Sequence, residues 1–151
     1  MGRAEDLFQR LVHNGEAEVE EYFNNRQSEE LFLDFKRSAD EGKGRSLHSN
    51  DLNNLAKAIS GFGNSEGGLI VWGVDCNDKD KNNTGDFPQA RKYIEDPQRF
   101  ASRLEGAVSG RTVPPHPGVR HHALAASTGN HEGYVTNGAS FGCELLSITD
   151  N

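Results

Sequence analysis

Three carboxylates, Glu29, Asp34 and Asp75, are the side chains of this 151-residue chain whose placement most suits chemistry. Glu29 and Asp34 stand at the start and middle of the stretch E-E-L-F-L-D-F-K, and Asp75 closes the apolar run L-I-V-W-G-V-D. If the two stretches pair as strands, their acids can gather round a divalent cation, Mg2+ or Mn2+, that activates water. The separation of five between Glu29 and Asp34 is odd, so convergence requires a bend or bulge near the strand start. Asp34 and Lys36 share a face, which sets a carboxylate beside an ammonium able to hold a phosphate. The plainer expectation is that charges on an open strand face are simply solvated.

Two basic sets are candidates for phosphate contact: Lys36, Arg37, Lys43 and Arg45 around a polar loop, and Arg91, Lys92, Arg99 and Arg103 further along. Contacts of this kind position a nucleic acid and weaken strongly as salt rises. The whole chain is acidic, with net charge -7 and pI near 5.3. Residues 1 to 34 hold three basic and nine acidic side chains, so most of the excess lies there. Nucleic-acid binding must therefore rest on local patches.

Other chemistries find little support. The turn S-G-F-G-N-S-E-G-G follows a helix and precedes a strand, the reverse of the order a phosphate-cradling loop needs, and G-K-[ST] is absent. His121 and His122 are neighbours on a strand and point to opposite faces, and His13, His48, His116 and His131 show no ligand spacing, so no histidine is given a role. Cys76 and Cys143 match neither a zinc site nor a disulfide framework, which suits a reducing, cytoplasmic setting. No apolar run approaches a membrane span, and the N-terminus is unlike a signal sequence.

The elements that must position these groups are legible from spacing. Leu7, Phe8, Leu11 and Val12 predict a helix over 4–13 that Asn14-Gly15 stops, and Val19, Tyr22 and Phe23 predict a second over 16–23, with Glu16, Glu18, Glu20 and Glu21 as its solvated face. Leu31, Leu33 and Phe35 form the buried row of a strand over 31–36. Ser49 or Asn50 caps a helix over 50–61 lined by Leu52, Leu55, Ala56 and Ile59. The run 68–75 lacks alternation and reads as a strand buried on both faces. Residues 77–86 read as an exposed excursion. Asp96-Pro97 opens a helix over 97–109 in which Phe100, Leu104 and Val108 point inward, and 118–125 is a further strand. Thr128 to Gly133 looks like a hairpin turn, yet Asn137 to Gly142 breaks the strand that should follow.

Taken together, E-E-L-F-L-D-F-K-R-S followed by L-A-K-A-I-S-G-F-G-N-S-E-G-G-L-I-V-W-G-V-D resembles the Schlafen AlbA-type domain, in a bacterial form, over about residues 28–125. The resemblance implies an α/β (α+β) fold, a single domain with a mixed sheet flanked by helices, divided as a helical segment over 1–27, the domain over 28–137 and a tail over 138–151 that reads as truncated. It also implies a DNA- or RNA-binding module with a regulatory role, cytoplasmic, without a membrane partner, in which copies can associate. The alternative it implies is a metal-dependent endoribonuclease acting on structured RNA such as transfer RNA, with Glu29, Asp34 and Asp75 as catalytic and metal-binding residues. Two departures separate the chain from the nuclease members: Asp34 replaces a Glu, and Cys76 stands where the third carboxylate is expected. Thiols are poor ligands for magnesium and manganese, so binding ranks above catalysis.

Overall fold

A mixed β-sheet lies between two layers of helices. The computed structural model describes residues 3–29, 32–63, 67–76, 87–109 and 119–139. Its elements in chain order are α1 (Arg3–Asn14), α2 (Glu16–Asn24), β1 (Leu33–Lys36), α3 (Ser49–Gly63), β2 (Gly68–Trp72), β3 (Val74–Asp75), β4 (Ala90–Arg91), β5 (Ile94–Glu95), α4 (Pro97–Ser109), β6 (Arg120–Ala125) and β7 (Glu132–Ala139). β1 runs parallel to β2 through the α3 crossover, and β2 is antiparallel to β7, with Trp72 opposite Val135. Gly133 of β7 pairs with both Ala125 of β6 and Ile94 of β5, so β5 continues the line of β2 while β6 takes the opposite side.

The uninterrupted apolar run of β2 is explained by helices on both of its faces. Ile70 and Trp72 pack with Leu55, Ile59, Phe100 and Leu104 from α3 and α4, and the Trp72 and Phe100 rings meet edge-on with centroids 5.4 Å apart. Leu69 and Val71 pack the other way with Leu7, Leu11, Val19 and Tyr22 from α1 and α2, joined by Leu33 and Phe35 of β1. Substituting Trp72 by alanine removes the largest fully buried side chain, a change that costs about 3–5 kcal/mol in well-packed cores.

Several sequence expectations are corrected. The strand expected over 68–75 is two strands, because Gly73 adopts φ 107, a conformation that L side chains rarely take. Its N–H donates to Lys36 O and its carbonyl accepts from Lys92 N–H, both at 2.8 Å, so the chain leaves the main sheet there to pair with β4. The segment expected to be broken at Asn137 is instead part of β7, the strand between β2 and β6. Glu18 is not solvated: it is buried, in reach of Arg10 at 3.1 Å and accepting from Asn14 Nδ2 at 3.1 Å. Val12 is exposed and Ala4 takes its place in the core. The cap of α3 is neither Ser49 nor Asn50 but His48, whose Nδ1 accepts the Asn50 N–H at 3.0 Å. Leu31, residues 77–86 and 111–118, and Cys143 lie outside the described residues.

Candidate nucleic-acid interface

The loop from β1 to α3 is organised by two acids. Asp51, in the first turn of α3 and fully buried, accepts from the Ser38 hydroxyl at 2.5 Å and from the Ala39 N–H at 2.8 Å. Burial pushes its carboxyl up, against the pull of these two donors. Asp40 accepts from the N–H groups of Gly42 at 2.9 Å and Gly44 at 3.2 Å, and lies 3.1 Å from the Ser38 hydroxyl. Burial would raise this carboxyl as well, yet the donors of Gly42, Ser38 and Gly44 together hold it below the usual carboxylate range. Glu41 and Gly42 both take positive φ, 56° and 78°, which turns the chain sharply toward α4. A Cβ at Gly42 would stand 3.0 Å from Ile94 Cγ2 and 3.2 Å from Glu95 O, so any other residue would be crowded as well as strained at this φ.

The turned loop offers its carbonyls to the basic side chains of α4. Arg99 Nη2 donates to Gly42 O at 2.9 Å, and Arg103 Nη2 donates to Arg45 O at 2.9 Å, with Nη1 also 3.5 Å from Gly42 O. Each guanidinium carries five donors, so these bonds fix its orientation and leave others for an anion. The loop's own Lys43 and Arg45 are exposed on the same surface. Glu41 is 3.3 Å from Lys43 and Glu95 is 3.3 Å from Arg99, both partly exposed pairs of the kind that contribute little. Lys36 and Arg37 stand at the root of the loop, paired with Asp34 at 3.2 Å and Asp75 at 3.7 Å.

Arg91 is placed elsewhere. Its guanidinium grips both carboxylate oxygens of Glu20 and lies 4.2 Å from the centre of the Phe23 ring, which ties β4 to α2 on the other side of the sheet. The bond from Arg91 holds the Glu20 carboxyl below its usual range, and Glu20 in turn pushes Arg91 up. Lys92 follows in the chain and is half-buried. The structure thus brings Lys43, Arg45, Arg99 and Arg103 together, with Lys36 and Arg37 beside them.

The three acids take different partners. Glu29 Oε2 accepts from Phe35 N–H at 2.8 Å, Asp34 pairs with Lys36, and Asp75 pairs with Arg37. Among the described residues no group of three His, Cys, Asp or Glu side chains is placed to hold a metal ion. Cys76 is half-buried and packs against the cluster that holds Phe35 and Val71.

Sequence reasoning missed Ser38, Asp40, Gly42 and Asp51, the residues that shape the loop. The signal was present in S-A-D-E-G-K-G, where an aspartate two and four residues before glycines suits a carboxylate that accepts from the following backbone. Among curated proteins none matches the chain. The sequence profile described as Schlafen, AlbA_2 matches residues 29–124, well over half of the chain, and takes in β1, the basic loop, α3, β2 and α4. With β1, α3 and the buried strand β2 in the expected order within a mixed sheet, the chain belongs to the Schlafen AlbA_2 family.

Proposed function

We propose that this chain is a nucleic-acid-binding module that holds DNA or RNA phosphates on the surface formed by Lys43, Arg45, Arg99 and Arg103, with Lys36 and Arg37 at its edge. The carrying observation is the pair of α4 arginines fixed by the loop carbonyls of Gly42 and Arg45. Family membership is consistent with such a role. The net charge of -7 opposes association with a polyanion, so binding rests on this local basic surface. A module of this kind would serve transcriptional or RNA regulation.

The test is a salt titration. Single-stranded RNA and DNA should bind at low salt and lose affinity steeply as salt rises, and a Lys43→Glu, Arg45→Glu variant should flatten the slope of log K against log salt by about one for each phosphate that is no longer neutralised. Binding that is insensitive to salt, or equal in the variant, overturns the reading. Incubation with transfer RNA and Mn2+, beside a Glu29→Ala, Asp34→Ala variant, separates binding from cleavage; the expected outcome is the same background with both proteins.

A further inference from the structure

A groove of about 430 Å3 opens between the first turn of α4, β6 and the turn that leads into β7. Its lining is small and apolar at Pro97, Ala123, Ala125 and Ala126, and polar at Asp96, Gln98, His131 and Glu132. Two of these residues are tied together by the Asp96 N–H, which donates to His131 O at 2.8 Å. One oxygen of Asp96 caps the helix by accepting the Arg99 N–H at 3.2 Å. Glu132 stands directly across the strand pair from Glu95, an arrangement of like charges that is unfavourable unless something relieves it. Arg99 relieves Glu95 at 3.3 Å; among the described residues Glu132 has no ion pair.

The carboxylates of Asp96 and Glu132 accept hydrogen bonds and so favour a donor opposite them, Gln98 and His131 can donate as well, and the small apolar lining suits a flat apolar face. Phosphate is repelled here, yet Arg99, which binds phosphate under the reading above, belongs to the same helical turn. A nucleotide has the same division: an anionic phosphate at one end and a planar base at the other. Guanine presents adjacent N1–H and N2–H donors on its Watson–Crick edge, the edge that proteins read when a single-stranded base is splayed out.

We infer that this groove is a guanine-binding subsite, in which Glu132 and Asp96 accept from the base edge while the neighbouring phosphate lies on Arg99 and the basic loop. The inference rests on the nucleic-acid reading. Its test compares labelled RNA octamers of uridine in which one position is replaced by G, A or C, measured by fluorescence anisotropy at low salt with the full chain.

The guanine-bearing octamer should bind about tenfold tighter than the others, the discrimination expected of a good bidentate contact. Glu132→Gln should abolish that preference and leave affinity for the uridine octamer in place. Asp96→Asn, which preserves the helix cap, should weaken the preference in the same direction. Salt-dependent binding without base preference overturns the subsite and spares the binding module. If no octamer binds, the module itself fails, and a titration with free guanosine, followed by NMR shifts of Gly129 and His131, still reads the groove. Shifts with agmatine but none with guanosine would show that charge alone is recognised and would overturn the inference.

Discussion

Asn137 sits inside β7 with both ends of its amide committed. Trp72 Nε1 can only donate, so the atom it reaches at 2.6 Å is the Asn137 oxygen, and the amide nitrogen must then face His121 Nδ1, also at 2.6 Å. His121 is thereby held with its proton on Nε2. Replacing Asn137 by the nearly isosteric leucine strands the buried Trp72 N–H, and urea unfolding should report a loss of about 1–3 kcal/mol. The same network predicts a pH dependence. A proton on Nδ1 would set two donors face to face, and burial holds the His121 imidazole below its usual range, with Glu105 of α4 as the opposing charge. The unfolded chain therefore takes up this proton first as pH falls, so the contribution is complete above about pH 6.5 and is lost between there and the lower folded value. Urea midpoints measured from roughly pH 7.5 to 5.5 should fall for the wild type, and His121→Gln should lose that part of the slope.

Among the elements, legibility followed how fully a segment's apolar pattern determined its place. α4 announced itself through Asp96-Pro97 and the row Phe100, Leu104, Val108, all of which are buried. β2 announced itself as an unbroken apolar run because both of its faces are covered. β7 did not, since Asn137 and Gly138 read as strand breakers and Thr136 before them is polar. Their polarity is absorbed by partners distant in the chain, Ile70 O for the Thr136 hydroxyl at 2.8 Å and Trp72 for Asn137, and local spacing holds no trace of either. The basic loop was legible in charge and illegible in shape, because its shape depends on Asp40 and Asp51 reaching backbone donors. That dependence gives a prediction in which two effects oppose each other. Asp40→Ala removes a negative charge beside the basic surface, so Coulomb attraction alone would tighten nucleic-acid binding. It also releases Gly42 and Gly44, and with them the carbonyls that orient Arg99 and Arg103, so the ordering must be restored on binding. Loss of ordering should win, weakening binding by about fivefold, or about 1 kcal/mol, in an anisotropy titration. Tighter binding by Asp40→Ala would show that charge, and not the preset loop, governs affinity.

On the scale of the whole molecule, the stretch that matches the family and the stretch that encloses a core do not coincide. The match runs over residues 29–124, whereas α1 and α2 precede it and β7 follows it. Without α1 and α2, the row Leu33, Phe35, Leu69 and Val71 loses its cover of Leu7, Leu11, Val19 and Tyr22. Two ion pairs, Glu5 with Arg120 and Glu20 with Arg91, also tie those helices to β6 and β4. Without β7, one whole edge of β2 and the only described partner of β6 disappear, which separates the β1–β2 pair from the rest of the sheet. Buried backbone groups that lose their ladder partners cost about as much as any lost hydrogen bond, and five register pairs are at stake along β2 alone. A chain restricted to 29–124 should therefore show no cooperative thermal transition by circular dichroism and should bind a hydrophobic dye, while the full chain unfolds cooperatively and excludes it. A sharp transition in the shorter chain would mean that the motif region carries its own core, and that α1, α2 and β7 serve to tune the binding surface and not to build the sheet that supports it.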